Sequence, residues 1–393
     1  MGRFYSYLDS AVQILSAYKG EEPFASFLKK YFGRNKKYGS KDRKRIAHLC
    51  YCYFRLGKAL LNIPVEERIL TGLFLCSDSQ NEMLEQLKPE WSEKIELPIR
   101  GKLLIINSSL LIDQVFPFKE QLSNGIDHEK FCESFFIQPD LFIRLRPEYE
   151  NLVKRKLLDQ GINFFAVTSA CLSLPNASRI ENIIELDKEA VVQDLSSQET
   201  GNFLKNFKFE TSNLKPKVWD CCAASGGKSL MLHDIDPDIE LTVSDIRQSI
   251  LINLKKRFAK AGIKNYKSFV TDLTQSNLTS GIGTFDFIVC DAPCTGSGTW
   301  SRTPEQLYFF QGGIEQYSLL QKKIVSNIIP RLKEGGCLLY ITCSVFKEEN
   351  EAVVDFIKDN FGLQLIKMEL LRGYDKKADT MFTALFKKNS QPD

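Results

Sequence analysis

Two rhythms of apolar residues divide the chain. Up to about residue 130 they recur every three or four positions, in YSYLDSAVQILSAY, DRKRIAHLCYCYFRLGKALL and EERILTGLFLC, the spacing that lines one face of a helix. Gly39 breaks this pattern and Ser40 and Asp42 can cap the helix beyond it, so residues 1–130 are expected to form a helical domain. Over residues 131–212 short apolar runs alternate with turn signals (PDLFIRLRP, INFFAVTSACLSLP, RIENIIELDKEAVVQDLSS), which predicts a small α/β module. In residues 213–393 strand-like runs (KVWDCCA, IELTVSD, YKSFVTD, TFDFIVCDAP, CLLYITCS) are separated by helical stretches. Those helices are expected from Lys228, over RQSILINLKKRFAKAG, over IEQYSLLQKKIVSNIIPRLKEGG and over KEENEAVVDFIKDNFG, and the strands QLIKMEL and TMFTALFKK close the pattern. Such alternation predicts a doubly wound α/β sheet whose ligands bind at the carboxyl ends of the strands.

Composition narrows the chemistry. With 393 residues and 43% hydrophobic content the chain can bury several cores, while no run reaches the length of a membrane span and the N-terminus lacks a secretory pattern. A soluble, unexported, cytoplasmic monomer is expected. The eleven cysteines form no Cys-x-x-Cys pair and are read as reduced thiols. His48, His128 and His233 are the only histidines, which leaves little for a zinc site or a Ser-His-Asp triad, and no metal is expected. Net charge is only +3, yet Lys29 to Lys58 carries eleven Lys or Arg against one acid, Asp42, with Tyr31, Phe32, Tyr38, Tyr51, Tyr53 and Phe54 interleaved. One-sided charge of this kind suits RNA, because neutralising phosphates releases counterions; the aromatics by themselves read as core.

Candidate chemistry sits at the strand ends. DCCAASGGKS turns the first strand into a helix, and it is not a Walker A loop, since Cys222 stands where that motif needs glycine. Gly226 and Gly227 permit close approach of backbone and ligand. Asp245, nineteen residues after Gly226, ends the second strand where a carboxylate can accept ribose hydroxyls, and Asp272 ends the third near an adenine amino group. Either aspartate alone is commonly a turn former; together with the glycine turn they describe a nucleoside cleft. In such a sheet the fourth and fifth strands are neighbours, so Asp291 and Cys294 of DAPC share an opening with Cys343 of ITCS. A thiolate added to C6 of a pyrimidine activates C5 toward methylation by a sulfonium, and a carboxyl such as Asp291 can stabilise the charge on the base. A second thiol is a candidate for the elimination step. Cys290 and Cys337 read instead as small buried residues.

The segments CCAASGGKS, SDIRQS, TDLT, CDAPCTGSGTWSRTPE, YITCSVFKEENE and DTMFTALFKK resemble the motif series of the RsmB/Nop/Sun family of S-adenosylmethionine-dependent RNA cytosine-5 methyltransferases. The resemblance runs from about residue 130 to the end and implies a Rossmann-like class I methyltransferase sheet. It places the nucleophile on Cys343, the thiol assisting product release on Cys294 and the base-binding group on Asp291. Cofactor contacts are implied for Ala223, Ala224, Ser225, Gly226, Gly227, Lys228, Asp245, Arg247, Asp272 and Asp291. Lys228 and Arg302 fall where the family carries basic residues, and Gln193 and Asp194 lie in the segment resembling the start of its catalytic core. Ser225 replaces a usual proline and Ser301 a usual arginine. SKDRKRIAHLCYCYFR is similar to the NusB-like RNA-binding domain of the bacterial branch, and the chain stops after the last strand, a layout that favours ribosomal RNA. Transfer RNA as the substrate, or a catalytically weak RNA-binding assembly factor, remain the alternatives.

Overall fold

Helix and strand boundaries follow the hydrophobic rhythm closely in the computed structural model, which describes residues 2–106, 111–205, 215–275 and 282–389. By packing, the chain forms two compact units. The first comprises residues 1–122, 126–138 and Thr299–Gly312; the second holds Ser123–Gly125, Pro139–Gly298 and residues 313–393.

The helical unit is built around Arg3–Ala17, Phe24–Arg34, Ser40–Arg55 and Val65–Cys76, which bury Ile14, Phe24, Ile46, Phe54, Ile69 and Phe74. Asp42 does cap: its Oδ2 accepts the Gly39 N–H at 3.1 Å. Of the interleaved aromatics, Phe32, Tyr38, Tyr53 and Phe54 are buried, while Lys29, Lys30, Arg34, Lys36, Lys37, Lys41, Lys44 and Arg45 are exposed. Two of the basic residues are structural instead. Arg55 is buried and donates to the carbonyls of Phe135 and Ile137, and Lys58 Nζ donates to those of Tyr308 and Phe310 at 2.8 and 2.7 Å. The segment Thr299–Gly312 contributes the short helix Pro304–Phe309 to this unit, with Trp300 and Leu307 buried in it.

The second unit contains two sheets. β1 (Leu141–Leu145), β2 (Phe165–Ala166), β3 (Cys171–Leu174) and β4 (Ala190–Val192) form a four-stranded sheet in the order β2-β3-β1-β4. Arg144 and Arg146 on and beside β1 reach Asp234, at 2.5 and 2.8 Å, on the helix Gly227–Ile235 of the larger layer. All three side chains are nearly buried, and each charge is paired, which is the condition for burying it. The larger sheet has β5 (Lys217–Asp220), β6 (Glu240–Asp245), β7 (Tyr266–Val270), β8 (Phe285–Asp291), β9 (Leu332–Thr342), β10 (Gln364–Leu371) and β11 (Met381–Lys387), ordered β10-β11-β9-β8-β5-β6-β7. β5 to β9 are mutually parallel, and strand order reverses at β5, the switch point next to β8. β11 runs antiparallel to both its neighbours, since the short link from Leu371 to Met381 cannot hold a crossover helix.

Two boundaries differ from expectation, the first being the helix over KEENEAVVDFIKDNFG, which begins only at Glu351. In the second, the helix expected to run through PRLKEGG ends at Ile328; Pro330 removes a backbone donor, a short 3₁₀ turn follows, and β9 already begins at Leu332. Cys290 and Cys337 are fully buried in their strands. Among the described residues no helix is long and apolar enough to cross a membrane.

Candidate active site

The turn after β5 is shaped by backbone that few residues accept. Ala224 has φ 45° and Gly226 φ 86°, and a Cβ on Gly226 would stand 2.9 Å from the Phe258 ring, so conformation and space both call for glycine. Gly226 precedes the helix Gly227–Ile235, while the Arg257 guanidinium holds Ser225 through its carbonyl at 2.9 Å and its hydroxyl at 3.0 Å. The turn is tied to the end of β6: the Ala224 N–H donates to Asp245 Oδ2 at 3.0 Å, and Asp245 Oδ1 accepts from the backbone and Nε of Arg247. Asp272, just past β7, accepts from the Thr274 hydroxyl and N–H and from Gln275, and these bonds hold its carboxyl below the ordinary value.

These strand ends border a cavity of about 440 Å³. Ala224, Asp245, Arg247, Asp272, Asp291 and Cys294 all line it, and Leu320 and Ile324 of the helix Ile314–Ile328 give it an apolar side together with Leu273. Ala223, Ser225, Gly226 and Gly227 form the turn behind the wall rather than the wall itself. Lys228 is buried, donates to Ser197 Oγ at 2.7 Å and stands 3.2 Å from Asp291 Oδ2.

Parallel pairing of β8 with β9 sets Asp291 opposite Ile341, and the two chains leave the sheet side by side. Cys294 and Cys343 meet there with their sulfurs 3.3 Å apart. The hydrogen bond to Cys343, then burial, then the charges of Cys343 and Glu349 push the Cys294 thiol well above its ordinary value. Gly298 braces the second cysteine: its N–H donates to the Cys343 carbonyl at 2.8 Å, and its own carbonyl accepts the Thr380 N–H at 2.9 Å.

Glu349 was not among the residues singled out from the sequence. It is fully buried, and its carboxylate accepts from the Thr295 N–H at 2.9 Å and hydroxyl at 2.6 Å, the Ser344 hydroxyl at 2.5 Å and Gln321 Nε2 at 3.1 Å. Thr295 and Ser344 follow the two cysteines directly, so one carboxylate fixes both loops. Nothing in the run KEENE separates Glu349 from Glu348; only burial does. Gln193 and Asp194 serve the scaffold, Gln193 accepting from Arg144 at 2.8 Å and Asp194 from the Asp379 N–H at 3.1 Å. Arg302 lies in the segment that belongs to the helical unit.

Residues 211–390 match the family described as 16S rRNA methyltransferase RsmB/F. A ribosomal RNA small subunit methyltransferase B of Photorhabdus laumondii is 32% identical over 79% of this chain and 67% of its own length. A probable ribosomal RNA small subunit methyltransferase B of Coxiella burnetii is 30% identical over 50% of this chain, and the match spans about half of that relative, 48%. The crystal structure of PH0851 has the same fold, with a TM-score of 0.70 at 18% identity over 97% of this chain and 98% of that one. The strand-end cavity and the paired cysteines thus sit within a matching sequence: the chain belongs to the RsmB/Sun family of methyltransferases, whose cofactor is S-adenosylmethionine.

Proposed function

We propose that this chain methylates C5 of a cytosine in ribosomal RNA, with Cys343 as the attacking thiol. The observation that carries the reading is the pair of sulfurs 3.3 Å apart at the ends of two adjacent strands, beside a cavity edged with carboxylates. The donor set fits S-adenosylmethionine: Asp245, buried at a strand end, suits ribose hydroxyls, and the apolar side made by Leu273, Leu320 and Ile324 suits a purine face. When bound, the cofactor supplies a methyl group on a positively charged sulfur.

The chain's own residues do the rest. Cytosine C5 is a poor nucleophile until Cys343 adds to C6: the S–C6 bond forms, the thiol proton leaves, and the C5–C6 π electrons become available at C5. Asp291, 3.2 Å from Lys228, holds the base where charge develops at N3. Cys294 keeps its proton during attack, because the charge and hydrogen bond of Cys343 hold it there. Once Cys343 is a neutral thioether its part of that hold is gone; Cys294 gives its proton to solvent, the resulting thiolate takes the C5 hydrogen, and the C5–H electrons re-form the C5=C6 bond as the C6–S bond breaks and Cys343 leaves as a thiolate. The exposed cations of the helical unit carry the RNA phosphates. Ribosomal RNA is proposed because the relatives are named for it.

Denaturing gels test the two thiols. Cys343→Ser should abolish methyl transfer, and Cys294→Ser should accumulate a covalent protein–RNA adduct; an adduct that needs Cys294 and survives loss of Cys343 reverses the roles. Bisulfite sequencing of RNA from a deletion strain and its parent tests the substrate, and a lost site in transfer RNA would replace the ribosomal assignment.

A further inference from the structure

A second group of thiols gathers beside the first. Cys221 and Cys222 follow β5, and Cys290 is the next-to-last residue of β8, the strand paired with β5 in the register Asp220↔Val289. The Cys221 N–H donates to the Val289 carbonyl at 2.9 Å, which sets the two strand ends level. The three Sγ atoms all lie within 4.8 Å of one another. Thiolates bound to zinc at about 2.3 Å in a tetrahedral site stand roughly 3.8 Å apart, so the trio needs to contract by no more than about 1 Å. Cys290 and Cys221 are buried, whereas Cys222 is half-buried and lines the cavity with Cys221, which leaves an entry path and an open fourth side. Asp220, next in the chain, is fully buried with its Oδ1 unpartnered. Spacing along the chain hides the trio, because parallel pairing of β5 with β8 is what brings Cys290 to the other two.

We propose that Cys221, Cys222 and Cys290 form a three-thiolate site for zinc, open on its fourth side to the cavity. On binding, three S–H bonds give their protons to solvent and three S–Zn bonds form; no electron changes hands. The site uses neither Cys294 nor Cys343 and stands or falls independently of the methyl-transfer reading.

The test is titration of the reduced, metal-free full chain with Zn²⁺ against a chromophoric chelator, with Co²⁺ in parallel because its sulfur charge-transfer absorption reports thiolate ligands. One equivalent per chain with that absorption is expected, unchanged in the Cys294→Ser/Cys343→Ser double variant and weakened roughly 100-fold or more in Cys290→Ala. Cys222→Ser, at a half-buried position, repeats the loss in a variant whose fold is checked by thermal melting. Binding that disappears in the Cys294/Cys343 double variant, persists in both Cys290→Ala and Cys222→Ser, or is not stoichiometric in the parent overturns the proposal.

Discussion

Replacing Glu349 by glutamine should slow methyl transfer more than it weakens the fold. The carboxylate takes four hydrogen bonds, two from N–H donors on one oxygen and two from hydroxyls on the other. Glutamine keeps the shape but has one acceptor oxygen. Turned toward Thr295 N–H and Gln321 it satisfies both, and its NH₂ then faces hydroxyls that can rotate to accept. What disappears is charge: bonds to an ionised group are worth about 1.5–3 kcal/mol each against about 1 for neutral ones, a gross loss of about 2–8 kcal/mol over the four. Burial outweighs these bonds, which is why the Glu349 carboxyl lies above its ordinary value, so losing the charge does not by itself leave the fold weaker at neutral pH. Catalysis is more sensitive, because Thr295 and Ser344 carry the relaxation straight to both sulfurs, and a displacement on the order of 1 Å costs up to about 100-fold. We therefore expect kcat to fall about 10- to 100-fold with the KM for RNA unchanged. Glu349 also raises the Cys294 thiol, so the acid limb of the pH–rate profile should move to lower pH in the variant. Stability follows the same group: its folded value is raised above the ordinary 4.5, so its contribution is complete below about pH 4.5 and is lost as pH rises through the folded value. Wild type should accordingly lose stability relative to the variant on going from acid to neutral pH. Radiolabelled methyl transfer and thermal melts decide the matter. A variant that melts as expected but keeps kcat within about twofold and an unshifted acid limb would refute the reasoning.

Two further outcomes are expected. Gly298→Ala puts a Cβ into the Thr380 carbonyl oxygen and 3.0 Å from that of Cys343; overpacking should cost about 1–3 kcal/mol and lower methyl transfer at least about tenfold, while calorimetric binding of a cofactor analogue stays unchanged because Gly298 lies outside the cavity. Lys36→Ala, Lys41→Ala and Lys44→Ala combined should reduce the slope of log K against log salt for RNA by about 2, at roughly 0.7 per phosphate contact, and an unaltered slope would move the RNA surface elsewhere.

How legible the molecule was depended on whether a property is local. Parallel strands buried on both faces read as apolar runs, so β6, β8 and β9 and the carboxylates closing β6 and β8 are visible directly, as is the meeting of Cys294 with Cys343 once strand order is granted. Glu349 was not visible because its role rests on burial beneath two loops, and a run of acids before a helix looks solvated. The start of β9 was masked because IVSNIIPRLKEGG keeps helical spacing of apolar residues across Pro330, and only tertiary pairing tells strand from helix there. The three-thiol group was hidden because it is a product of strand pairing, not of spacing.

The helical unit is written in two places. Its core needs Thr299–Gly312, where the Tyr308 hydroxyl meets that of Tyr53 at 3.0 Å across 255 residues of chain, and a Cβ on Gly57 would press on Leu307. For inheritance this means that no single recombination breakpoint can transfer the unit without the catalytic strands that lie between its two stretches. A crossover between the two stretches sets one parent's helices against the other's Trp300 and Leu307, so the two stretches are best inherited together, and a substitution at Tyr53 is felt at Tyr308 far downstream.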